Sequence, residues 1–197
     1  MNHSPAPSLE SVAAWQQVYR ELEHAELMAR AKGQVNDRVF ATLISAQGGG
    51  YGMLPPDLGL GADGVKALVD RHFPGMRFVL PSHWQQADQL PEHDELHALL
   101  MRYRAQMNAS ELDLVQILVV ACSGANHLWQ DLGLYNRGEL SELMRINFPK
   151  LAALNTGDMK WKKFLYKRLC EEEGIYVCRS PSCNACKDYD DCFGPEA

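Results

Sequence analysis

Four cysteines lie close together near the end of the chain, with the spacing C-x4-C-x2-C-x5-C. Thiols at this density can pair as disulfides, close a structural zinc site, or hold an iron–sulfur cluster as thiolates. The first three repeat the C-x4-C-x2-C run with which plant-type ferredoxins hold their cluster. A zinc site more often combines two C-x2-C pairs, and only Cys183 and Cys186 form such a pair. The spacing favours an iron–sulfur cluster over zinc, with these candidate ligands: Cys178, Cys183, Cys186 and Cys192.

The composition helps to choose among disulfides, a zinc site and an iron–sulfur cluster. The 197 residues carry a formal net charge of −6 and are 46% hydrophobic, which suits one domain with a substantial core. An acidic chain is a poor binder of nucleic acid, so none is expected as a partner. The longest apolar run, ILVVAC, is far too short for a membrane span, and the first residues lack the apolar stretch of a secretory signal. We therefore expect a cytoplasmic protein with reduced thiols, in which disulfides are the weakest explanation.

A basic segment precedes the cysteines in this acidic chain. Five of the nine residues from Lys160 to Arg168 are basic. They form either a solvated helix face or a positive field for an anion, such as an oxyanion substrate, a negatively charged cluster or an acidic partner. The candidates for anion or partner docking are Lys160, Lys162, Lys163 and Lys167.

The elements that must position these residues are predicted to be helices. Apolar residues recur at helical spacing along most of the chain, and only residues 76–81 resemble an extended segment. The prediction is an all-α protein with residues 1–7 disordered, a helical domain over 8–174 and a cysteine-rich cluster-binding segment over 175–197. The predicted helices cover residues 9–31, with Ser8 as cap and Gly33 as stop, and 36–47, 62–72, 92–107, 110–122, 138–147 and 158–172.

An internal repeat organises the helical domain. The segment DLGLGADGVKALVDRHFP (57–74) aligns with DLGLYNRGELSELMRINFP (131–149), with one residue inserted. Self-similarity of this length indicates a repeated structural unit. We therefore predict a duplicated helical-hairpin bundle, made of 36–75 and 110–150 with a shared core, followed by an irregular cysteine-rich metal-binding tail.

The loops of the two copies differ in their candidate ligands. Where the first copy has Gly48 and Met53, the second has Cys122 and His127. His127 is either a structural histidine or a metal ligand. Cys170, at the end of the basic segment, is either a core thiol or a spare ligand. The sequence leaves both questions open.

Two other motifs, GGGYG and HDELH, are weaker candidates for a functional site. GGGYG follows a helix and lacks the Gly-Lys-Ser/Thr ending of a phosphate-binding loop, so we interpret it as a plain loop. HDELH places His93 and His97 on one helix face but departs from the zinc-protease pattern, so solvated surface histidines are expected. No Ser/His/Asp or Cys/His nucleophile arrangement is visible in the sequence.

The cysteine spacing, together with the segments NTGDMKWKKFLYKRLCEEEG and HLWQDLGLYNRGELSELM, resembles the NifQ family of nitrogen-fixation proteins. The resemblance runs from about residue 36 onward and is strongest from His127 to the end. It implies a protein that carries molybdenum within an iron–sulfur cluster and donates it to the assembly of the iron–molybdenum cofactor of nitrogenase. Carried over by position, the cluster ligands are Cys178, Cys183, Cys186 and Cys192.

The resemblance further implies molybdate as the metal source, nitrogenase cofactor-assembly proteins as partners, and a carrier in place of a turnover enzyme. In a cubane with three irons, three thiolates suffice for iron, which leaves the fourth cysteine or His127 for molybdenum. Two other functions stay open: a zinc-stabilised protein-interaction module without redox metal, and an enzyme that builds the molybdenum–iron–sulfur unit. We expect the helical domain to be a platform, and the cysteine-rich segment an exposed arm with few packing contacts.

Overall fold

The computed structural model describes residues 9–81, 93–172, 174 and 189–196. Every regular element in these ranges is a helix, which confirms the all-α prediction for the described part of the chain. Residues 76–81, expected to be extended, form no strand. The helices are α1 (Leu9–Arg30), α2 (Asp37–Gly48), α3 (Gly61–His72), α4 (His93–Tyr103), α5 (Ser110–Cys122), α6 (Leu128–Asp131), α7 (Arg137–Asn147), α8 (Pro149–Leu154), α9 (Trp161–Glu172) and α10 (Tyr189–Phe193).

Two of the predicted helices are shorter in the structure. α4 ends four residues early, because Ala105 donates its N–H to the carbonyl of Asn147 (2.8 Å) and Gln106 has a φ of 61°. α9 begins three residues late, since Asp158 has a φ of 52°, and left-handed backbone does not continue an α-helix. The short helices α6, α8 and α10 were not predicted, because one or two turns give no apolar periodicity. The disorder expected for residues 1–7 falls outside the described residues.

The core is centred on α2 and α5, in which most side chains are buried. α1 packs against α2, while α4 packs against α5 and is itself contacted by α8 and α9. Phe40, Phe73 and Phe148 are fully buried among leucines from several helices, and each stabilises the fold by about 1.5–3 kcal/mol. Across the described ranges, none of the helices is both long enough and apolar enough to cross a membrane.

The two segments aligned by the repeat contact each other in both directions. A Cβ added to Gly59 would lie 2.5 Å from Cγ2 of Val120, and one added to Gly133 would lie 2.6 Å from Cβ of Ala46. Under the alignment Gly59 corresponds to Gly133 and Ala46 corresponds to Val120, so one contact is made twice. Both glycines have a positive φ, 80° and 73°, which also favours glycine. The duplication itself stays a prediction, but the two segments approach closely at two matching points.

Buried polar side chains join the same two segments. His72 Nδ1 lies 2.6 Å from Asp37 Oδ1, and His72 Nε2 lies 2.8 Å from Ser110 Oγ. Folding therefore brings together a serine, a histidine and an aspartate that are far apart in the chain. All three are buried, so the serine has no substrate access and the chain of hydrogen bonds is structural. Asn36 and Asn147 pair in the same way, at 2.8 and 3.0 Å.

Candidate metal centre

Cys192 is the one predicted cluster ligand that the structure describes; Cys178, Cys183 and Cys186 lie outside the described residues. It sits in α10, is half-buried, and packs against the hydrophobic core. Its carbonyl oxygen accepts the backbone N–H of Lys160 at 2.7 Å. The last thiol of the motif is therefore held at the start of α9.

The residues around Cys192 are docked on the helical domain. Tyr189 and Phe193 stack with ring centroids 4.7 Å apart, and the Phe193 ring lies against Gly157. Lys160 Nζ donates to the carbonyl of Asp190 at 2.8 Å. The expectation of few packing contacts was thus wrong for residues 189–196, although Tyr189, Asp190, Asp191 and Pro195 are exposed, as expected. These residues anchor the far end of the cysteine-rich segment.

Glu196 extends this docking to the second repeat segment. Its Oε1 lies 3.8 Å from His127 Nδ1 and 3.8 Å from Arg137 Nε. The Glu196 side chain is only 5% exposed. A carboxylate four residues after Cys192 therefore contacts the histidine that the sequence analysis singled out as an additional ligand.

Arg137 links this carboxylate to the turn before α9. Its Nη2 donates to the carbonyl of Asp158 at 2.7 Å, to the Asp158 carboxylate at 2.8 Å and to the carbonyl of Met159 at 3.2 Å. Its Nε is buried and makes no hydrogen bond. Nη2 is therefore fixed by three acceptors, while the buried Nε–H has no hydrogen-bond acceptor.

The loop that carries His127 is held by a lysine of α9. Lys162 Nζ donates to the carbonyl of Gly124 at 2.7 Å and forms an ion pair with the buried carboxylate of Asp131. Asp131 also accepts the backbone N–H of Asn126 at 3.1 Å. Because its charge is neutralised here, Lys162 fits the docking role predicted for it poorly. Its observed contacts give it a structural role.

The other basic candidates differ from one another in their surroundings. Lys160 contacts α10 through both its backbone and its side chain. Lys163 is exposed, and Lys167 is exposed with its Nζ 3.7 Å from Glu171. Lys167 and Arg168 line a cleft of about 400 Å³ between α9 and α10. For Lys163 and Lys167, anion or partner docking stays a prediction.

The two cysteines outside the motif are not alike. Cys122 is buried, and this burial raises the pKa of its thiol to about 12, although the ammonium of Lys162 acts in the opposite direction. A neutral buried thiol is a poor metal ligand. Cys170 is half-buried on α9. Its role as a spare ligand stays a prediction.

The HDELH histidines are less solvated than expected. The His93 side chain is 10% exposed, and its Nε2 lies 3.1 Å from Gln116 Nε2. Its ring stacks on that of His97 with the centroids 6.4 Å apart. Within the described ranges, no three His, Cys, Asp or Glu side chains are grouped as a metal site. The expectation of two solvated histidines was therefore wrong for His93.

Three residues around the candidate centre escaped the sequence analysis: Asp131, Arg137 and Glu196. Asp131 could have been found, since it begins the repeated DLGL segment and an aspartate kept at both positions suggests a shared structural need. Arg137 and Glu196 leave no such trace, because their meeting depends on how residues 189–196 dock.

The donor set fits a cluster of soft metals. Thiolates are the preferred ligands of iron in iron–sulfur clusters, and the motif supplies four of them over a short stretch of chain. Cys192 is partly accessible and not sealed in the core. An imidazole and a half-buried arginine lie beside Glu196, which is close in sequence to this cysteine. Among the described residues, two candidate ligands, Cys192 and His127, are therefore linked through Glu196.

Comparison with known proteins gives the family. The sequence model of the NifQ family matches residues 39–194. The chain is 40% identical to Protein NifQ of Azotobacter vinelandii over 167 residues, which are 78% of this chain and 86% of that protein. It is 36% identical to Protein NifQ of Rhodobacter capsulatus over 182 residues, 89% of this chain and 99% of that protein.

A further relative matches over a shorter part of the chain. The chain is 46% identical over 81 residues to Protein NifQ of Klebsiella pneumoniae, which covers 41% of this chain and 48% of that protein. No solved structure matches the chain. The match to the family model spans both repeat segments, the basic helix α9 and the cysteine motif, and two relatives match over most of their own length. The chain therefore belongs to the NifQ family, whose members have a role in nitrogen fixation.

Proposed function

We propose that the chain is a carrier that holds molybdenum within an iron–sulfur cluster and donates it to the assembly of the iron–molybdenum cofactor of nitrogenase. The cysteine spacing supports an iron–sulfur cluster, and membership of the NifQ family supports the nitrogenase pathway. The cluster is the cargo, supplied with molybdenum from molybdate. Its recipients are cofactor-assembly proteins. The chain itself binds and releases without turnover.

The chemistry of the metal explains why such a carrier is useful. Molybdenum is taken up as an oxyanion, whose hard oxygen shell does not suit thiolates. Within a cubane it is surrounded by soft sulfides and becomes a unit that can be passed on. Three irons need one thiolate each, so one cysteine of the motif or His127 is left for molybdenum. The proposed cluster ligands are Cys178, Cys183, Cys186 and Cys192.

One observation carries this assignment: the residues that follow the last cysteine of the motif contact His127. Glu196 Oε1 lies 3.8 Å from the imidazole, and four residues of chain separate Glu196 from Cys192. Such a segment spans at most about 14 Å. His127 therefore lies in the neighbourhood of the last cysteine, which supports its assignment as a further ligand. Lys162 and Asp131 hold its loop in place.

The proposal also assigns roles to the two parts of the chain. The helical domain, organised as a duplicated hairpin, is the platform, and the cysteine-rich segment holds the cargo. That segment follows α9 and is anchored at its far end by the docked helix α10, which carries the last cysteine. A segment that is held at both ends can release a cluster while it stays attached to the helical domain.

Metal analysis of the anaerobically isolated protein is the direct test. The carrier function predicts a brown protein that contains both iron and molybdenum. The double variant Cys183→Ala/Cys186→Ala should lose both metals and keep its helical circular dichroism, since the proposal gives these thiols to the cluster and the fold to the helical domain. The matched control is Cys122→Ala, which removes a buried neutral thiol and should keep the metals.

Two outcomes would contradict the proposed carrier function, and a third would change its ligand set. A colourless protein with one zinc per chain would favour the zinc-stabilised interaction module. Collapse of the helical fold in the double cysteine variant would make the motif structural. For the variant His127→Ala, iron should be retained and molybdenum reduced; unchanged molybdenum would remove His127 from the ligand set.

A further inference from the structure

Helix α1 is covered by the fold on one side only. Its inner face carries Arg20 and Leu27, both buried, and packs against α2. Ahead of Arg20, every residue from Val12 to Tyr19 is exposed. The first half of α1 therefore presents most of its surface to solvent.

An apolar stripe runs along the outer side of α1. Its members recur with the alternating three- and four-residue spacing of a coiled-coil seam, which places them on one face of the helix: Trp15, Val18, Leu22, Ala25 and Ala29. All five are exposed, Trp15 by 72% and Leu22 by 67%. A continuous stripe of large apolar side chains in contact with water indicates an interaction surface.

The order of side-chain sizes along the stripe fits a second copy of the same helix. The large residues lie toward the N-terminal end and the small ones toward the C-terminal end. In an antiparallel pair with this spacing, Trp15 faces Ala25 of the second copy, and Val18 faces Leu22 of the second copy. Each layer then has a similar total volume, which close packing requires. A parallel pair would place Trp15 against Trp15 and Ala25 against Ala25, so its layers would be unequal.

The area that α1 offers is that of a small dimer interface. Its 22 residues give a helix about 33 Å long. A stable pair buries roughly 600 Å² or more from each copy. Trp15 alone supplies on the order of 150 Å², and the exposed side chains of Val12, Tyr19 and Met28 flank the stripe. An interface at this lower limit predicts a dissociation constant on the order of 10 µM.

We propose that two copies of the chain pair through α1 in antiparallel orientation, with Trp15 of each copy packed against Ala25 of the other. The stripe belongs to none of the segments that form the candidate metal centre, and it precedes residues 39–194, which the family model matches. A dimer formed in this way carries two cysteine motifs. Close to its twofold axis, the Glu21 carboxylates of the two copies face each other, which opposes the pairing.

Sedimentation velocity of the full-length chain measures the pairing, over concentrations from about 1 to 200 µM that bracket the expected dissociation constant. Leu22→Lys should weaken pairing by about 30-fold or more, because each dimer would bury two charges in place of two leucines. Trp15→Ala should weaken it by about tenfold or more, because two layers lose their large member. Both side chains are mostly exposed in the single chain, so the helical circular dichroism should not change. The matched control is Ala13→Lys, which adds the same charge to α1 at an exposed position opposite the stripe and should change nothing.

Two further variants test the orientation of the pair. In the antiparallel arrangement Glu21 faces its own counterpart, so Glu21→Gln should tighten pairing by about threefold or more. Added NaCl should tighten pairing of the wild type more than pairing of this variant, because salt screens the repulsion between the carboxylates. Glu26 is paired with Arg30 and lies beside Val12 of the second copy, so Glu26→Gln should change pairing by less than about twofold. In a parallel pair Glu21 would face Glu26, and the two variants would tighten pairing equally.

A wild-type chain that stays monomeric up to about 200 µM would overturn the pairing, as would a dimer that Leu22→Lys leaves unchanged. Equal tightening by Glu21→Gln and Glu26→Gln would overturn the antiparallel arrangement. A monomeric chain that binds a synthetic helix with leucines at the seam positions and lysines beside them would assign the stripe to a basic partner in place of a second copy. The metal content of Leu22→Lys should equal that of the wild type, so failure of the pairing and failure of the proposed carrier function are distinguishable.

Discussion

Asp57 and Asp131 begin the two aligned DLGL segments, and both are buried. The surroundings of their carboxylates differ. Asp57 accepts two backbone N–H groups from its own turn, at 3.0 and 2.8 Å. Asp131 accepts from the neighbouring loop and forms an ion pair with Lys162, which belongs to α9.

The same DLGL turn therefore has a different structural role in each segment. In the first segment the buried carboxylate is satisfied locally and ties the turn only to itself. In the second, a lysine from a distant part of the chain completes the interaction, so the loop that carries His127 depends on α9. Because α9 also holds α10, the second segment is linked to the cysteine motif. The first segment has no comparable link among the described residues.

Among the substitutions considered, removing the negative charge of Asp131, which pairs with Lys162 of α9, should lower the free energy of unfolding most. Asp131→Asn leaves the Lys162 ammonium, only 16% exposed, without its counter-charge. We expect the free energy of unfolding to fall by about 3 kcal/mol. Asp57→Asn should cost about 1–2 kcal/mol, since its side-chain oxygen can still accept one backbone N–H. Urea unfolding followed by circular dichroism measures both, and equal losses would show that the two sites do not differ.

The ion pair can be isolated by adding Lys162→Met. In the double variant Asp131→Asn/Lys162→Met no unpaired charge remains, so it should be more stable than Asp131→Asn alone. A double variant that is less stable than either single variant would mean that the two side chains act independently.

A smaller loss of stability is expected from substitutions at Gly133 and Gly59, where the two repeat segments approach each other most closely. Gly133→Ala should lower the free energy of unfolding by about 2–3 kcal/mol, because the new Cβ meets that of Ala46 and φ is positive. Gly59→Ala should cost about 1–2 kcal/mol, since the partly exposed Val120 can rotate away. Thermal unfolding distinguishes them. Adding Ala46→Gly to Gly133→Ala should recover part of the loss, and no recovery would contradict the proposed clash.

The buried hydrogen bonds between the segments should be similar in strength. Ser110→Ala leaves His72 Nε2 without its partner, and Asn36→Ala leaves Asn147 partly unpaired. Each should lower the free energy of unfolding by about 1–2 kcal/mol. The control is Thr156→Ala at an exposed position, with an expected change within about 0.5 kcal/mol. A loss at one site alone would show that the two pairings are not equivalent.

The last prediction concerns Cys122, which replaces Gly48 in the second segment. Its pKa is raised to about 12, so at pH 8 its alkylation by iodoacetamide should be at least about 100-fold slower than that of Cys170. Mass spectrometry of peptides from the native and unfolded protein measures this ratio. Comparable rates in the native protein would show that Cys122 is accessible as a thiolate.

The same shift affects stability at high pH. The folded state holds the thiol proton more tightly than the unfolded state, in which the pKa is about 8.5. The stabilisation of the folded state by this difference in pKa is therefore complete below about pH 8.5, and it is lost as the pH rises toward 12. Cys122→Ala should remove this part of the pH dependence, as measured by the free energy of unfolding between pH 8 and 10.

Much of the helical framework could be predicted from periodicity. Apolar spacing placed α2, α3, α5 and α7 to within about one residue, because each presents an apolar face over three turns. The C-terminal end of α4 and the start of α9 were missed, since they depend on Gln106 and Asp158 adopting left-handed backbone. The Asp37–His72–Ser110 chain was missed as well, because it exists only once three helices pack together.

The sequence by itself determined the helical class, the NifQ resemblance and the thiol set, because periodicity and ligand spacing are local properties of the chain. Only the tertiary structure decided which charged groups meet. It neutralised Lys162 with Asp131 and brought Glu196 to His127 and Arg137. The physical reason is that a charge acts on what lies within a few ångströms of it, and that distance is set by packing between helices far apart in the chain.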